Sequence, residues 1–550
     1  MAFGIDLGTT NSCVAYIDDA GRATVIKSAL GEDTTPSVVY FESARHAIVG
    51  RTARNAALIA PDLVVQRVKR DMGKSVEYTF HGKPNSPEMV SAIILRELAR
   101  GVEENIGQVV RDVVITVPAS FGVAEQEATR RAGQFADLNV LDLLAEPVAA
   151  AMHYQAVTGT GTGVRHILVY DLGGGTFDTT VIRVDGDAIA VVCSDGDARL
   201  GGADWDDVIV EHLLSEFAAK HPTLRPREDA SFMQDVAIEA ERLKEGLSSV
   251  ESRRYVMRFG GAVCHVNVTR DQLEKLTEGL LDRTIAVTEQ TIATARSRGV
   301  DRFDDVLLVG GMTKMPAVTR VLKERLGLTA RLHQPDLAVA KGAALRALAL
   351  TIKSPDSGPA GRGLSGNASA RLRSPEDVAA TTGLTVSEAE TLARQRVSTV
   401  VSRAFGVMTL DGRDPVAMTD PVHARKMIVH LLSANTPLPA DTGPFTFNTT
   451  MDNQRLVMIE VWEQTSEFAS SDLADNQKIG EGMLKIPPKM PALTPLDVTF
   501  YMSETGRLTV RAVEPESGMN LEFNLQIGGL DPAKMDQAKR SVADYDVSGD

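Results

Sequence analysis

The sequence predicts an α/β protein of two related lobes, followed by an all-β domain. Three observations support this fold class. Residues 1 to about 352 alternate β-branched runs with helical patterns. Within that part, a turn that combines an aspartate with glycines occurs twice, near residues 6 and 171. From about residue 400 the pattern changes to short alternating segments separated by turn residues.

The first part of the chain shows its α/β character in individual segments. Residues 112–117, 167–170 and 306–309 are predicted strands, and residues 91–103 and 238–247 are predicted helices. A segment rich in Gly, Pro and Ser at 354–366 predicts a flexible linker. Two helix-start patterns, at Ser374 and Thr385, then predict a helical hairpin over 374–398 with Gly383 at its turn.

The second part of the chain has the period of strands. Residues 445–449, 456–462, 496–500, 508–512 and 521–525 alternate apolar and polar side chains and are predicted to form an all-β domain. Pro532 then opens one more helix of about a dozen residues. The predicted organisation is an α/β domain at 1–352, a linker with a helical hairpin at 353–399, a β-sandwich at 400–528 and a short helical or disordered tail at 529–550.

Composition excludes several classes of function. A net charge of -15 without any block rich in Lys and Arg disfavours binding to nucleic acid or to an anionic membrane. Cys13, Cys193 and Cys264 lack metal-ligand spacing and are typical of a reducing compartment. The apolar stretch 345–352 is far shorter than the roughly 20 residues of a membrane span. Since the chain also starts at once with a strand-like segment, we expect a cytoplasmic protein.

The repeated turns carry the chemistry. The segments GIDLGTTN, from Gly4, and VYDLGGGT, from Val169, share a strand, an aspartate, a glycine turn and a threonine. Glycine turns let backbone N–H groups grip anionic oxygens. An aspartate suits a phosphate only when a divalent cation accompanies it. Two such hairpins that face each other would therefore clamp a metal–triphosphate, whereas a single copy has an even chance of being an ordinary hairpin.

A third glycine pair, Gly310 and Gly311, follows a predicted strand and precedes a helix entered near Pro316. Glycines at such a place allow a flat ring to lie against the backbone. Alone, the pair is more often a simple turn. Together with the two aspartate turns it predicts a nucleoside site.

These motifs resemble the actin, sugar-kinase and heat-shock ATPase superfamily, and most closely the DnaK-type seventy-kilodalton heat-shock chaperones. The motifs GIDLGTTNSCVA, ITVPASF, EPVAAAMHY, DLGGGTFD, LGGADWD and LLVGGMTKMP occur in the family's order. The resemblance covers 1–352 and, more loosely, 403–528. It implies an actin-like ATPase domain of two duplicated lobes followed by a substrate-binding sandwich. It also implies ATP or ADP with Mg²⁺ as cofactors, slow regulatory ATP hydrolysis, and binding of unfolded or extended apolar peptide segments.

The resemblance implies a role for each matched residue. Asp6 and Asp171 would orient Mg²⁺ through its waters. Lys69 and Glu146 would place and assist the attacking water, although on residue type alone Lys69 would be a solvated surface lysine. Asp178 would support the metal, and Thr176, counted with the catalytic residues, would help to hold the phosphates. The remaining nucleotide-binding residues would be Gly8, Thr9, Thr10, Asn11, Gly173, Gly174, Gly175, Gly201, Gly202, Glu241, Lys244, Ser248, Gly310, Gly311, Lys314 and Asp336.

In the sandwich, the resemblance implies a peptide site with one central side-chain pocket. Val457 would form its floor, and Leu410 and Thr450 would arch over the bound chain. Its walls would be Val407, Phe447, Ile459 and Leu496. The alternative is that these are plain core residues, since inward strand positions are apolar in any sandwich.

The sequence departs from the family in three places. It stops at Asp550, without the family's long helical lid, so a bound peptide should leave quickly. The 353–398 segment replaces the family's short linker. Ser120, Gln126, Asp142 and Ala145 replace residues that relay the signal or touch a J-domain cochaperone. An ordinary J-domain partner is therefore doubtful, while a nucleotide-exchange factor remains an expected partner.

Two further hypotheses compete with an ATP-dependent chaperone. The first is an ATP-gated scaffold whose β-domain holds one dedicated partner, which the altered relay positions favour. The second is a sugar or acetate kinase, or a filament-forming actin relative, of the same superfamily, which does not account for residues 403–528. Binding to an apolar peptide library distinguishes the chaperone from the scaffold, because a chaperone binds many such peptides and a scaffold does not.

Overall fold

Two mixed sheets with the same strand order organise residues 1–353 in the computed structural model. The structure describes residues 1–159, 163–353, 372–417, 419–466, 469–525 and 532–549, so the predicted linker at 354–366 lies outside the described residues. In each sheet, three antiparallel strands form a meander, and two parallel strands extend it beyond the first strand of that meander. This duplication agrees with the predicted actin-like fold of two related lobes.

Lobe I is built on the first sheet, ordered β11-β10-β1-β2-β3. Its strands are β1 Ala2–Asp6, β2 Asn11–Ile17, β3 Ala23–Ile26, β4 Thr35–Pro36, β5 Val39–Phe41, β6 His46–Val49, β7 Val64–Val65, β8 Tyr78–Phe80, β9 Lys83–Asn85, β10 Asp112–Val117 and β11 Asn139–Ala145. Its helices are α1 Arg51–Ala56, α2 Pro87–Ile106 and α3 Val123–Phe135, and α4 Glu146–Thr158 follows.

Lobe II is built on the second sheet, ordered β18-β17-β12-β13-β14. Its strands are β12 Arg165–Leu172, β13 Phe177–Asp185, β14 Ala188–Asp197, β15 Ser252–Phe259, β16 Ala262–Thr269, β17 Asp305–Val309 and β18 Arg331–Leu332. The helices of this stretch are α5 Gly202–Lys220, α6 Ala230–Leu247, α7 Arg270–Leu276, α8 Glu278–Ser297, α9 Pro316–Leu326 and α10 Ala338–Thr351.

Helices α4 and α10 join the two lobes. Both are rich in alanine, and their buried side chains share one core cluster with strands of both sheets. Small residues let the two helices approach closely: a Cβ on Gly342 of α10 would lie 1.8 Å from the Ala149 carbonyl oxygen of α4. The two sheets therefore pack on either side of two closely packed helices. This packing fixes the relative position of the loops that face each other at the strand ends.

The segment after the lobes is ordered and packs against them. It contains α11 Pro375–Thr382, α12 Val386–Arg394 and β19 Arg396–Ser398. Gly383 lies between the helices with φ 64°, and a Cβ there would come within 2.0 Å of the Asp19 carbonyl oxygen. β19 adds in parallel to the free edge of β14, with Val397 opposite Ile189.

Residues 405–524 form a sandwich of two antiparallel sheets. Its strands are β20 Phe405–Leu410, β21 Lys426–Leu432, β22 Ala440–Asp441, β23 Phe445–Asn448, β24 Leu456–Gln464, β25 Asn476–Lys485, β26 Pro495–Met502, β27 Leu508–Val513 and β28 Asn520–Asn524. The sheet orders are β21-β20-β24-β25 and β22-β26-β27-β28, with β23 also paired to β26. Alternate residues of both sheets form one apolar core between them.

The last described elements are α13 Pro532–Ala543 and β29 Asp546–Ser548. They pack on lobe I, and β29 pairs with β6. The helix has the length that the sequence predicts, but neither the strand nor its location was predicted. Within the described residues, the structure contains no helix with the length and apolar character that a bilayer crossing requires.

The sandwich contacts the lobes through a buried charged cluster. Arg403 donates to Glu125 of α3 at 2.9 Å, and the Val123 backbone N–H donates to Glu463 of β24 at 3.0 Å. A Cβ on Gly122 would lie 2.6 Å from the side chains of both Arg403 and Glu463, so these side chains pack directly against the Gly122 backbone of lobe I. Burial raises the pKa of Glu463 to about 7 despite the attraction of Arg403.

This cluster predicts a pH-dependent interface. Gly122 and Val123 of lobe I cover the Glu463 carboxylate, so the docked state binds the proton more tightly than the undocked state. The cost of docking therefore grows as the pH rises from 4.5 towards 7 and is complete above 7. Between pH 6 and 8 docking should weaken by about 1 kcal/mol. Hydrogen exchange of residues 120–125, corrected for intrinsic rates, measures this change.

Two variants make that measurement specific. Glu463→Gln should remove the pH dependence, because its side chain does not titrate. Glu481→Gln, whose parent side chain is 51% exposed, should retain it. An unchanged pH dependence in Glu463→Gln would assign the effect to another group.

Candidate functional site

The two aspartate turns face each other across one cavity between the lobes. The loop between β1 and β2 and the loop between β12 and β13 both line a space of about 630 Å³. Thr10 of the first turn lies directly against Gly174 of the second, and Thr9 lies against Gly175. The structure thus brings together the two turns that the repeat predicted to be partners.

Glycine is required where these turns meet. A Cβ on Gly174 would lie 2.0 Å from the Thr10 hydroxyl oxygen and 2.9 Å from its Cβ. A Cβ on Gly201 would lie 2.5 Å from the Gly175 backbone nitrogen. All three distances are far below ordinary carbon contact, so only a bare backbone allows this approach.

A cluster of carboxylates surrounds Lys69 at the inner end of the cavity. Asp6 ends β1, Asp171 lies on β12 and Glu146 begins α4. The Lys69 ammonium, on a short 3₁₀ turn at Val68–Asp71, donates to Glu146 at 2.6 Å. Lys69 is 6% exposed, which contradicts the surface lysine that residue type alone favoured and agrees with the position implied by resemblance.

Burial and mutual repulsion disfavour the ionised forms of these acids. Burial, with repulsion from Glu146, raises the pKa of Asp6 to about 7 and that of Asp171 well above its ordinary value. Burial lowers the pKa of Lys69, but the attraction of Glu146 and Asp6 outweighs it, so the Lys69 pKa is raised. An additional cation near this cluster would relieve the repulsion.

The cluster suits a divalent cation bound through its waters, because no group of three or more His, Cys, Asp and Glu side chains among the described residues is arranged to hold a metal ion by itself. The carboxylates of Asp6, Glu146, Asp171 and Asp178 exceed the single ammonium of Lys69, and Asp171 Oδ2 is buried with no hydrogen-bond partner among the described residues. Carboxylate oxygens of this kind suit Mg²⁺ and its waters. Asp6 and Asp171 are the residues that would hold it.

Asp178 lies behind the cavity wall. Its carboxylate accepts a hydrogen bond from the Ser120 backbone N–H at 2.8 Å, and burial with repulsion from Glu146 raises its pKa to about 7. It faces Asp171 across the β12–β13 ladder. Asp178 therefore adds negative charge next to Asp171 without lining the cavity, and it connects the cluster to the segment that carries Ser120.

The opposite end of the cavity is suited to a nucleoside. Glu241 and Lys244 lie one turn apart on α6, Ser248 caps the end of that helix, and all three line one side. The other side is formed by Gly310 and Gly311 with the apolar Met312 and Met315. The Lys244 ammonium is bound to the Gly202 carbonyl oxygen at 3.0 Å and to Asp206 at 2.7 Å, which fixes its side chain. Lys314 and Asp336 form an ion pair at the rim.

All the residues predicted for the nucleotide line this cavity except Gly201, which packs behind Gly175 as described above. The lining members are Gly8, Thr9, Thr10, Asn11, Gly173, Gly174, Gly175, Thr176, Gly202, Glu241, Lys244, Ser248, Gly310, Gly311, Lys314 and Asp336.

Sequence reasoning missed the arginine contacts that join lobe I to lobe II beside the cavity. Arg70 donates to the Gly175 carbonyl oxygen at 2.9 Å and to Asp204 at 2.6 Å, and so ties lobe I to the second turn. Arg54 of α1 pairs with Glu241 of α6. No local pattern marks these arginines, because their partners lie more than 100 residues away.

The predicted peptide residues lie in the sandwich with varied exposure. Val407, Ile459 and Leu496 are buried in its core, and Phe447 and Val457 are half-buried against that core. Phe447 and Leu496 are direct neighbours on β23 and β26. The predicted arch residues Leu410 and Thr450 are both half-buried.

Comparison with known proteins identifies a family relationship for the lobes. The family model described as Hsp70 protein matches residues 2–79 and 74–357, more than half of the chain. The match spans every residue of the cavity described above.

Proposed function

Because this chain belongs to the Hsp70 family of chaperone-type ATPases, we propose that it binds and hydrolyses ATP–Mg²⁺ to regulate the capture of exposed apolar peptide segments. The two opposed aspartate turns carry this proposal. Their threonines and glycines line one cavity, beside a carboxylate cluster that suits a cation. Such an arrangement can hold a triphosphate from both sides.

In this proposal each group acts mainly by position and charge. The bound Mg²⁺ would neutralise charge on the phosphates. Thr9, Thr10 and Thr176 would hold the phosphate oxygens between the lobes. The Lys69–Glu146 pair, buried at 2.6 Å separation, would orient a water for in-line attack, with Glu146 accepting its hydrogen bond.

A short path supports coupling between the phosphates and the sandwich. Asp178 accepts from the Ser120 N–H, and three residues later the Val123 N–H donates to Glu463 of the sandwich. A shift of Asp178 on hydrolysis would therefore move a backbone segment that the sandwich contacts directly. The pairing of β19, which precedes the sandwich, with β14 provides a second connection, this one to lobe II.

The scaffold hypothesis keeps some support. Asp142, at the position where the family's J-domain surface carries an arginine, is held in an ion pair with Arg346 of α10 at 3.0 Å. The charge at this surface is thus reversed and fixed. A protein that keeps one dedicated partner does not need that surface.

ATP hydrolysis with and without an apolar peptide tests the proposed function. We expect the peptide to stimulate single-turnover hydrolysis, and ATP to accelerate release of a fluorescent peptide. Binding across a library of apolar peptides then measures breadth. Binding of ATP with no peptide bound from the library, and no stimulation, would favour the scaffold instead.

Filling the predicted pocket should block peptide binding. Val457→Phe replaces a small branched side chain with an aromatic ring at the predicted pocket floor. We expect peptide affinity to fall at least ~10-fold while the sandwich stays folded. Met458→Phe is the matched control, since Met458 lies next to Val457 on β24 but is 47% exposed on the outer face. Fluorescence anisotropy measures both. Equal affinities for the two variants would place the peptide elsewhere.

A further inference from the structure

The C-terminal segment, residues 532–549, is part of lobe I although it follows the sandwich in the chain. α13 packs on α2 and α3, and β29 adds in parallel to β6, which extends the sheet β29-β6-β5-β7. The Asp546 backbone N–H donates to the Arg45 carbonyl oxygen at 2.7 Å. The segment thus occupies a sheet edge that would otherwise be unpaired.

Apolar side chains of this segment enter the core of lobe I. Val542, Tyr545 and Val547 are 0%, 2% and 9% exposed and belong to the same cluster as the inner residues of β5 and α2. The Tyr545 ring packs edge-on against Phe41 at 5.5 Å. Its hydroxyl donates to Asn85 at 3.3 Å. The segment is therefore docked through buried surface and is not a loosely attached end.

Polar contacts fix the register of the docked segment. Arg96 of α2 donates to the carbonyl oxygens of Val542 and Tyr545, at the C-terminal end of α13 where helix carbonyls lack partners. Lys539 pairs with Asp137 at 2.6 Å, and His46 contacts Ser548 at 3.0 Å. These contacts specify one position for the segment along lobe I.

The sandwich is consequently held at both ends. Upstream, β19 is paired to β14 of lobe II and ends at Ser398, a few residues before β20. Downstream, Leu525 is still bonded into the sandwich, and α13 begins at residue 532 on lobe I. The seven steps between 525 and 532 span at most about 25 Å. The sandwich cannot move farther than this from α13 while the segment stays docked.

We propose that residues 532–549 are an anchor that keeps the sandwich beside the lobes, so that a change of nucleotide loosens the sandwich contacts without releasing the domain. The part of this proposal that concerns nucleotide rests on the proposed function. The anchoring itself rests only on the docked segment and the short connection. It concerns a segment outside the 2–357 region that the family model matches.

The test separates anchoring from stabilisation of lobe I. Twenty Gly/Ser residues inserted after Leu525 keep every contact of the docked segment but lengthen the connection to roughly 28 Å on average and far more at full extension. The control is the same insertion after Thr505, in the turn between β26 and β27. Both are made in a background with the same Gly/Ser insertion after Ser398, which relaxes the upstream link between β19 and the sandwich. That background also carries Arg403→Ala, which removes the guanidinium of the buried cluster that joins sandwich and lobes.

Spin labels at Ile59→Cys in lobe I and Met458→Cys on the sandwich, both exposed positions, report the separation by pulsed electron spin resonance. The insertion after Leu525 should add a population at least ~20 Å longer, whereas the control insertion should keep one short distance. A long population in the control, or none in the Leu525 insertion, would overturn the anchor. Because these arms need no nucleotide, they are decided even if calorimetry finds no binding of ATP–Mg²⁺, which would instead refute the proposed function.

Discussion

Lys69→Met is expected to lower the rate of ATP hydrolysis at least ~10²-fold while ATP affinity changes less than ~10-fold. The ammonium of Lys69 is buried and bound to Glu146 at 2.6 Å, so its removal leaves a carboxylate without its cation beside Asp6 and Asp171. Methionine preserves volume but supplies no charge to position water. Single-turnover hydrolysis and calorimetric ATP binding measure the two quantities separately.

Lys74→Met is the matched control for that prediction. Lys74 lies five residues away, is 44% exposed and pairs with Asp71 at 3.0 Å outside the cluster. Its loss should leave hydrolysis unchanged. Glu146→Gln should reproduce the loss seen with Lys69→Met, because it removes the other member of the pair. Wild-type hydrolysis in Lys69→Met, with intact ATP binding, would remove Lys69 from the reaction.

Local pattern predicted much of the fold because short-range physics dictates it. The strands around Asp6 and Asp171 are runs of β-branched and apolar residues that end in glycine turns and are followed by a second β-rich run, a pattern typical of hairpins. The helical hairpin was readable for the same reason. Ser374 and Thr385 cap their helices through side-chain oxygens, as the sequence predicted.

Contacts between distant residues explain what the sequence could not show. Lysine is a residue type usually found at the surface. Lys69 is buried here because its ammonium is paired with Glu146, 77 residues later. The cluster of Arg403, Glu125 and Glu463 joins segments that carry no shared pattern. β29 has only three residues, and its partner β6 lies about 500 positions earlier, so neither periodicity nor turn chemistry marks the pairing.

Gly174→Ala should abolish ATP binding, with an affinity loss of at least ~10²-fold. One methyl group at this position lies 2.0 Å from the Thr10 hydroxyl oxygen, so the two turns must separate by more than ~1 Å to reach ordinary contact. Rotation of Thr10 gives no relief, because its Cβ is itself 2.9 Å away and carries a methyl group. A displacement of that size disrupts positioning at a site that both turns must share.

Calorimetry with ATP and Mg²⁺ measures the loss, and thermal unfolding shows whether the lobes remain folded. Gly101→Ala of α2 is the control, since nothing lies within 4 Å of its added methyl group and alanine favours a helix. The comparison isolates close approach from the general effect of replacing glycine. If Gly174→Ala binds ATP as tightly as Gly101→Ala does, the phosphates are not gripped between the two aspartate turns.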